Sequence, residues 1–187
     1  SGITKAYERL SFRALVFFLI HIGGFCYGVR SSDTTMLANS FERIGDQITG
    51  RGSRRTPFAN EPNAGLIAHA HRDAIYAPDQ EDKESFGIPQ PEFSRFCDSV
   101  EWIPQGDEAF DDGSFVLLFD VENRVRLIGF KSNPGVYHHN PATLRDVWLD
   151  ADEFYGILQQ WHDAFEAEWK AWPKISEADE GRWQGPI

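Results

Sequence analysis

The chain predicts an α+β fold: an antiparallel-rich sheet of about five or six strands packed by about three helices. Two short-period runs, Ser114–Val121 and Arg124–Lys131, are joined by only Glu122-Asn123, which reads as a hairpin. Leu37, Phe41, Ile44 and Ile48 recur at i, i+4, i+7, i+11, and Phe154, Leu158, Trp161 and Phe165 repeat that spacing. An apolar run between Arg13 and Arg30 is cut in the middle by Gly23-Gly24.

That first run, ALVFFLIHIGGFCYGV, follows Lys5, Arg9 and Arg13 and so has the flank of a signal peptide or short anchor. Its 16 residues fall short of the ~20 that span a bilayer, and His21 and the glycines interrupt it. No small-x-small cleavage site follows, and Phe25 stands where a lipoprotein signal needs a small residue before Cys26. The run reads instead as a buried strand from about Phe12 to Ile22, a Gly-Gly turn, and a second strand Phe25–Arg30. The Ser1-Gly2 start without Met reads as a tag remnant.

Next, Asp33 or Thr34 caps a helix that ends near Gly50, followed by the basic loop Gly52–Pro57. Asn63 caps a second helix reaching about Tyr76, with Ile67, Ala70 and Ala74 on one side. Residues 78–92, acidic and with three prolines and a glycine, read as loop. A strand is expected at Ser99–Ile103 and an acidic loop at Gly106–Gly113. Ser114–Val121 is apolar on both faces, which predicts a central strand, and Asn123 suits the positive φ of its turn. Leu144–Leu149 is a last, shorter strand. Asp150 and Glu153 form a capping box for the final helix. Its core stripe Phe154, Leu158, Trp161, Phe165 and Trp172 stops at Pro173, while Trp169 lies off that stripe as an exposed anchor. Residues 1–173 are thus expected to form one domain and 174–187 a tail without periodicity.

The formal net charge of −11 is unevenly divided. Residues 1–60 hold eight Lys/Arg and four Asp/Glu, and residues 61–187 hold ten and twenty-five, so the remainder carries −15. An acidic surface excludes nucleic-acid binding by counterion release and retention on an anionic membrane. It leaves solubility or a cationic partner as its use. Cys26 and Cys97 have no Cys-x-x-Cys companion, so no zinc site is expected, and two thiols suit a reducing, cytoplasmic setting.

His69 and Asp73 share a helix face at i, i+4, with His71 between them, so the three make a candidate metal cluster for a small hydrolase. His138-His139 lies in a loop able to approach, yet no fourth ligand is evident, and no metal or cofactor is expected. The paired carboxylates Asp107-Glu108 and Asp111-Asp112 belong to a wet loop rather than a catalytic cleft. No G-x-S-x-G, phosphate loop or H-E-x-x-H is present, and no catalytic residue is assigned.

Gly24-Phe25-Cys26-Tyr27-Gly28-Val29, followed by Asp33-Thr34-Thr35-Met36-Leu37 opening a helix, resembles the start of bacterial polymorphic-toxin immunity proteins, in particular immunity protein 42. Glu92-Phe93-Ser94-Arg95-Phe96 before a strand, the Asp112–Arg126 hairpin with Arg126-Leu127-Ile128 in its second strand, Val147-Trp148-Leu149 and Phe154-Tyr155-x-x-Leu158 continue the resemblance. It covers residues 12–166 and departs in the longer segment 50–92 and after Trp172.

The resemblance implies a non-enzymatic, cytoplasmic protein that neutralises a cognate toxin, such as one delivered by type VI secretion, by covering its active site. It implies a toxin partner, expected to be basic, with no nucleic-acid or membrane partner, and a monomer or weak homodimer. The acidic loops then become the contact candidates: Asp79, Glu81, Asp82, Glu84, Asp107, Glu108, Asp111 and Asp112, with Trp169 as anchor. The competing readings are the His69/His71/Asp73 hydrolase and an effector adaptor or chaperone.

Overall fold

The computed structural model describes residues 15–31, 35–76, 83–102, 108–133 and 138–171. The chain runs β1 (Leu15–Val16), β2 (Ile20–Ile22), β3 (Phe25–Tyr27), β4 (Thr35–Met36), α1 (Leu37–Thr49) and α2 (Ala64–Tyr76). It continues β5 (Glu84–Ser85), β6 (Ile88–Pro89), α3 (Gln90–Val100), β7 (Ser114–Val121), β8 (Arg124–Lys131), β9 (Arg145–Asp150) and α4 (Ala151–Ala171). The fold is α+β with every strand pairing antiparallel. The central sheet has three strands in the order β7-β8-β9, and the others form separate two-stranded ladders β1-β4, β2-β3 and β5-β6.

The long hairpin forms where alternation placed it, with Val121 opposite Arg124. Two details differ from expectation. The positive φ of the turn falls on Glu122 (54°), not Asn123. The middle strand is β8, while β7 is buried because Glu101 bridges Leu117 on its other edge and the Trp102 amide donates to Val116 O at 2.9 Å.

Both faces of the sheet are covered. On one, Leu117, Phe119, Ile128 and Phe130 meet Ile67 and Ala68 of α2 and Phe93, Cys97 and Val100 of α3. On the other, Val116, Leu118, Val125 and Leu127 meet Phe154, Tyr155 and Leu158 of α4, Ile44 of α1 and Tyr27 of β3. Tyr27 lies flat on β8 because Gly129 has no side chain: a Cβ there would stand 2.8 Å from Tyr27 Oη and closer to ring carbons. The Tyr27 hydroxyl donates to Thr143 O at 2.7 Å, and burial raises its pKa.

The N-terminal run is interrupted at 17–19, so β1 pairs with β4 while β2 turns back on β3 through Gly23 (φ 53°) and Gly24 (φ 78°). Asp33 and Thr34, and the tail from Trp172 onward, lie outside the described residues. Asn63 does cap α2, its Oδ1 accepting from Gly65 N at 3.0 Å. Asp150 Oδ1 likewise accepts from the Asp152 and Glu153 amides at 2.9 and 3.1 Å, capping α4.

Among the described residues the span 78–92 is not all loop, and Ser99 and Val100 close a helix instead of opening a strand, with Glu101 making a single bridge to Leu117. Phe86 (φ 55°) and Gly87 (φ 72°) make a two-residue turn between β5 and β6, the mirror-image geometry favoured by hairpins. Phe86 tolerates that backbone while its ring stacks on Phe58 at 5.2 Å. Pro91 then starts α3 without breaking it, because the first helical turn needs no amide partner. Phe93, Cys97 and Val100 form its buried stripe at i, i+4, i+7.

A buried cation ties the loop before α2 to the sheet. Arg126 is 1% exposed and donates to Ala59 O (2.8 Å), Glu61 O (2.6 Å) and both oxygens of Asp146 (2.9 Å each). Buried Asp120 anchors the preceding basic loop, accepting from the Arg54 amide at 3.1 Å and the Tyr155 hydroxyl at 2.7 Å. No helix among the described residues is long and apolar enough to cross a membrane.

Candidate functional site

The acidic segment before β7 is a pinned turn. A short 3-10 turn, Glu108–Phe110, buries Ala109, whose carbonyl accepts from Val29 N at 2.7 Å. Gly113 (φ 78°) then turns the chain into β7, and its carbonyl accepts from Ser132 N at 2.8 Å. Asp112 has a structural duty, accepting from Ser114 N at 3.1 Å and pairing with Lys131. Glu108 and Asp111 are left exposed on this platform. Such carboxylates can meet a cationic surface without first ordering a loop, which lowers the entropic cost of association.

Glu84 is exposed on β5, a hairpin packed against α3 and separate from that turn. Asp79, Glu81, Asp82 and Asp107 lie outside the described residues. Trp169 lies in α4, and its side chain is likewise not described. The structure therefore joins Glu108, Asp111 and Asp112 on one turn and leaves Glu84 on another element.

The histidine cluster does not form a metal site. His69 Nε2 is 3.6 Å from Asp73 Oδ2, which also receives Lys83 Nζ at 2.6 Å. His71 faces the other way, 1% exposed and edge-on to Phe115 and Phe130 at 5.6 and 6.1 Å between ring centres. Burial, then the adjacent Arg72, pushes its pKa down to about 3. His138 does approach, its Nδ1 lying 3.2 Å from His69 Nδ1, on the opposite ring edge from Asp73. Among the described residues no group of three or more His, Cys, Asp or Glu could hold a metal ion.

Two features were hidden in the sequence. Glu101 is pushed up to about 7 by burial and by Asp98, a consequence of its bridge to β7. Trp161, expected in the core, is 40% exposed, and Ile157 one turn before it is 56% exposed. Among its described side chains the buried residues of α4 are Ala151, Phe154, Tyr155 and Leu158, and past Leu158 the helix is only partly covered, by Phe41 of α1 against His162 and Phe165.

With the fold and the acidic turn described, the family comparison gives the class: immunity proteins. A family model described as Immunity protein 42 matches residues 1–164, and the chain belongs to that family. No curated protein and no solved structure matches it.

Proposed function

We propose that this chain is the cytoplasmic antidote to a toxin domain encoded beside it, acting without catalysis by binding the toxin tightly and covering its active site. Membership of the immunity protein 42 family carries the reading. The charge distribution supports it: the −15 of residues 61–187 suits a basic toxin, as enzymes that act on nucleic acids or nucleotides tend to be. Carboxylates compete with phosphate for a cationic groove, and opposite fields accelerate encounter. Glu108 and Asp111, exposed on a rigid turn, are steering residues in this scheme. Asp79, Glu81, Asp82, Glu84 and Asp107 are further contact candidates by their acidity in the sequence, and residues 1–173 act as one binding domain. The toxin would be delivered by a contact-dependent route such as type VI secretion, and the antidote works as a monomer or weak homodimer.

Co-expression with the neighbouring toxin domain tests this. The chain should rescue growth, and it should bind a catalytically silenced form of that domain in purified form. Glu108→Lys with Asp111→Lys should slow association and flatten its salt dependence. Failure of both rescue and binding would refute the proposal, and a requirement for export or folding of the toxin without rescue would identify an adaptor instead.

A further inference from the structure

Helix α4 carries two large apolar side chains, Ile157 and Trp161, that remain exposed. The helix has 21 residues, about 31 Å at 1.5 Å per residue. Among the described side chains its buried residues fall within the first eight positions, Ala151 to Leu158. Beyond them α1 supports one side: Phe41 stacks on His162 at 4.2 Å and lies 4.8 Å from Phe165. Ile157, Trp161, Ala164 and Glu168 are all exposed and spaced i, i+4, i+7, i+11, one stripe along the helix with Trp161 at its edge toward Phe41. Glu153, also exposed, precedes Ile157 by one turn. The stripe is therefore an apolar centre closed at each end by a carboxylate.

Trp161 is held ready within it. Its ring stacks on Phe165 at 5.5 Å and 13° and lies 6.4 Å from Phe41. A tryptophan already fixed by its neighbours loses little rotamer freedom on binding, and such residues dominate interface energetics.

The charge pattern chooses the occupant. A second copy related by a two-fold axis would set Glu153 against Glu168 if the helices ran antiparallel, and like against like if they ran parallel. Either arrangement opposes acid to acid around a small apolar centre, which is unfavourable. The complementary element has apolar side chains flanked by lysines or arginines. We infer that the stripe Glu153, Ile157, Trp161, Ala164 and Glu168 is the docking surface for the basic toxin, receiving such an element. This rests on the immunity reading and replaces Trp169 with Trp161 as the anchor.

The test uses the full chain and the silenced toxin domain encoded beside its gene. Ile157→Lys and Trp161→Ser should each raise Kd by about 30-fold or more, the scale of a hot-spot residue. Glu168→Lys should act mainly on the association rate. All three should melt close to wild type, because the substituted side chains are exposed. Should Trp161→Ser lose stability through its stack on Phe165, Ile157→Lys still decides. Wild-type affinity in Ile157→Lys overturns this inference and leaves the immunity reading standing. Absence of wild-type binding together with absence of rescue overturns that reading itself. A homodimer in sedimentation velocity that Ile157→Lys splits would assign the face to a second copy and also overturn the inference.

Discussion

Replacing His71 by Leu should change how stability depends on pH, in a direction set by where the imidazole sits. The ring is 1% exposed between α2 and the sheet, and neither nitrogen has a hydrogen-bond partner among the described residues. With its pKa lowered from 6.5 to about 3, the folded state keeps His71 neutral where the unfolded chain takes up a proton. Between those values the unfolded state holds one more proton, so acidification lowers stability by about 1.4 kcal/mol per pH unit. From pH 7 to pH 5 the loss is about 2 kcal/mol, whatever the folded value, provided it lies well below 5. Glu101 has the opposite sign. Its carboxyl is raised from 4.5 to about 7, so its contribution is complete below 4.5 and is lost as pH rises through 7. The two slopes oppose each other between pH 4.5 and 6.5, and the wild-type curve alone conceals both. His71→Leu, close in volume and without unpaired nitrogens, removes one of them. Urea unfolding followed by tryptophan fluorescence at pH 7, 6 and 5 should show the variant gaining about 2 kcal/mol on wild type over that range. A gap that stays constant with pH would refute the neutral, buried assignment.

Other substitutions probe the contacts that shape the two faces. Gly129→Ala drives a methyl into the Tyr27 ring and should cost about 1–3 kcal/mol or more in chemical denaturation, with loss of near-ultraviolet tyrosine signal. Arg126→Ala leaves Asp146 and the Ala59 and Glu61 carbonyls without their cation; a loss of about 3–5 kcal/mol is expected, measured as a drop in denaturation midpoint. Asp150→Ala removes the acceptor of two amides at the start of α4 and should cost about 1 kcal/mol in the same assay.

The elements legible in the sequence are those whose cause is local. Alternation and a two-residue connection define β7 and β8, and Asn63 and Asp150 mark helix starts because their side chains bond amides two or three residues on. Helix α3 is masked in the sequence by Pro89, Pro91 and nearby acids, which have loop composition, although Phe93, Cys97 and Val100 hold the helical spacing. The β5-β6 turn has no local signature because Phe86 takes a positive φ that its own type disfavours, accompanied by its stack on Phe58 and contact with Phe93. Among the candidate site residues, the exposure of Glu108 and Asp111 followed from composition, whereas the ion pair of Asp112 with Lys131 depends on a strand that returns to it.

By itself the sequence determined the α+β class, the long hairpin, two helix caps, the acidic imbalance and the family resemblance, since periodicity, turn chemistry and charge are properties of neighbouring residues. Only the tertiary structure decided which apolar residues are covered. Trp161 continues the spacing of Phe154 and Leu158, yet it is exposed because the α4 residues that join the sheet-facing core end at Leu158, and past it the helix meets α1 through Phe41. His69 and His71 are two residues apart and face opposite environments, one beside Asp73 and the other in the core. Helical spacing names the face of an element, but burial is set by the extent of whatever packs against that face, and that extent is fixed by chain segments far away in sequence.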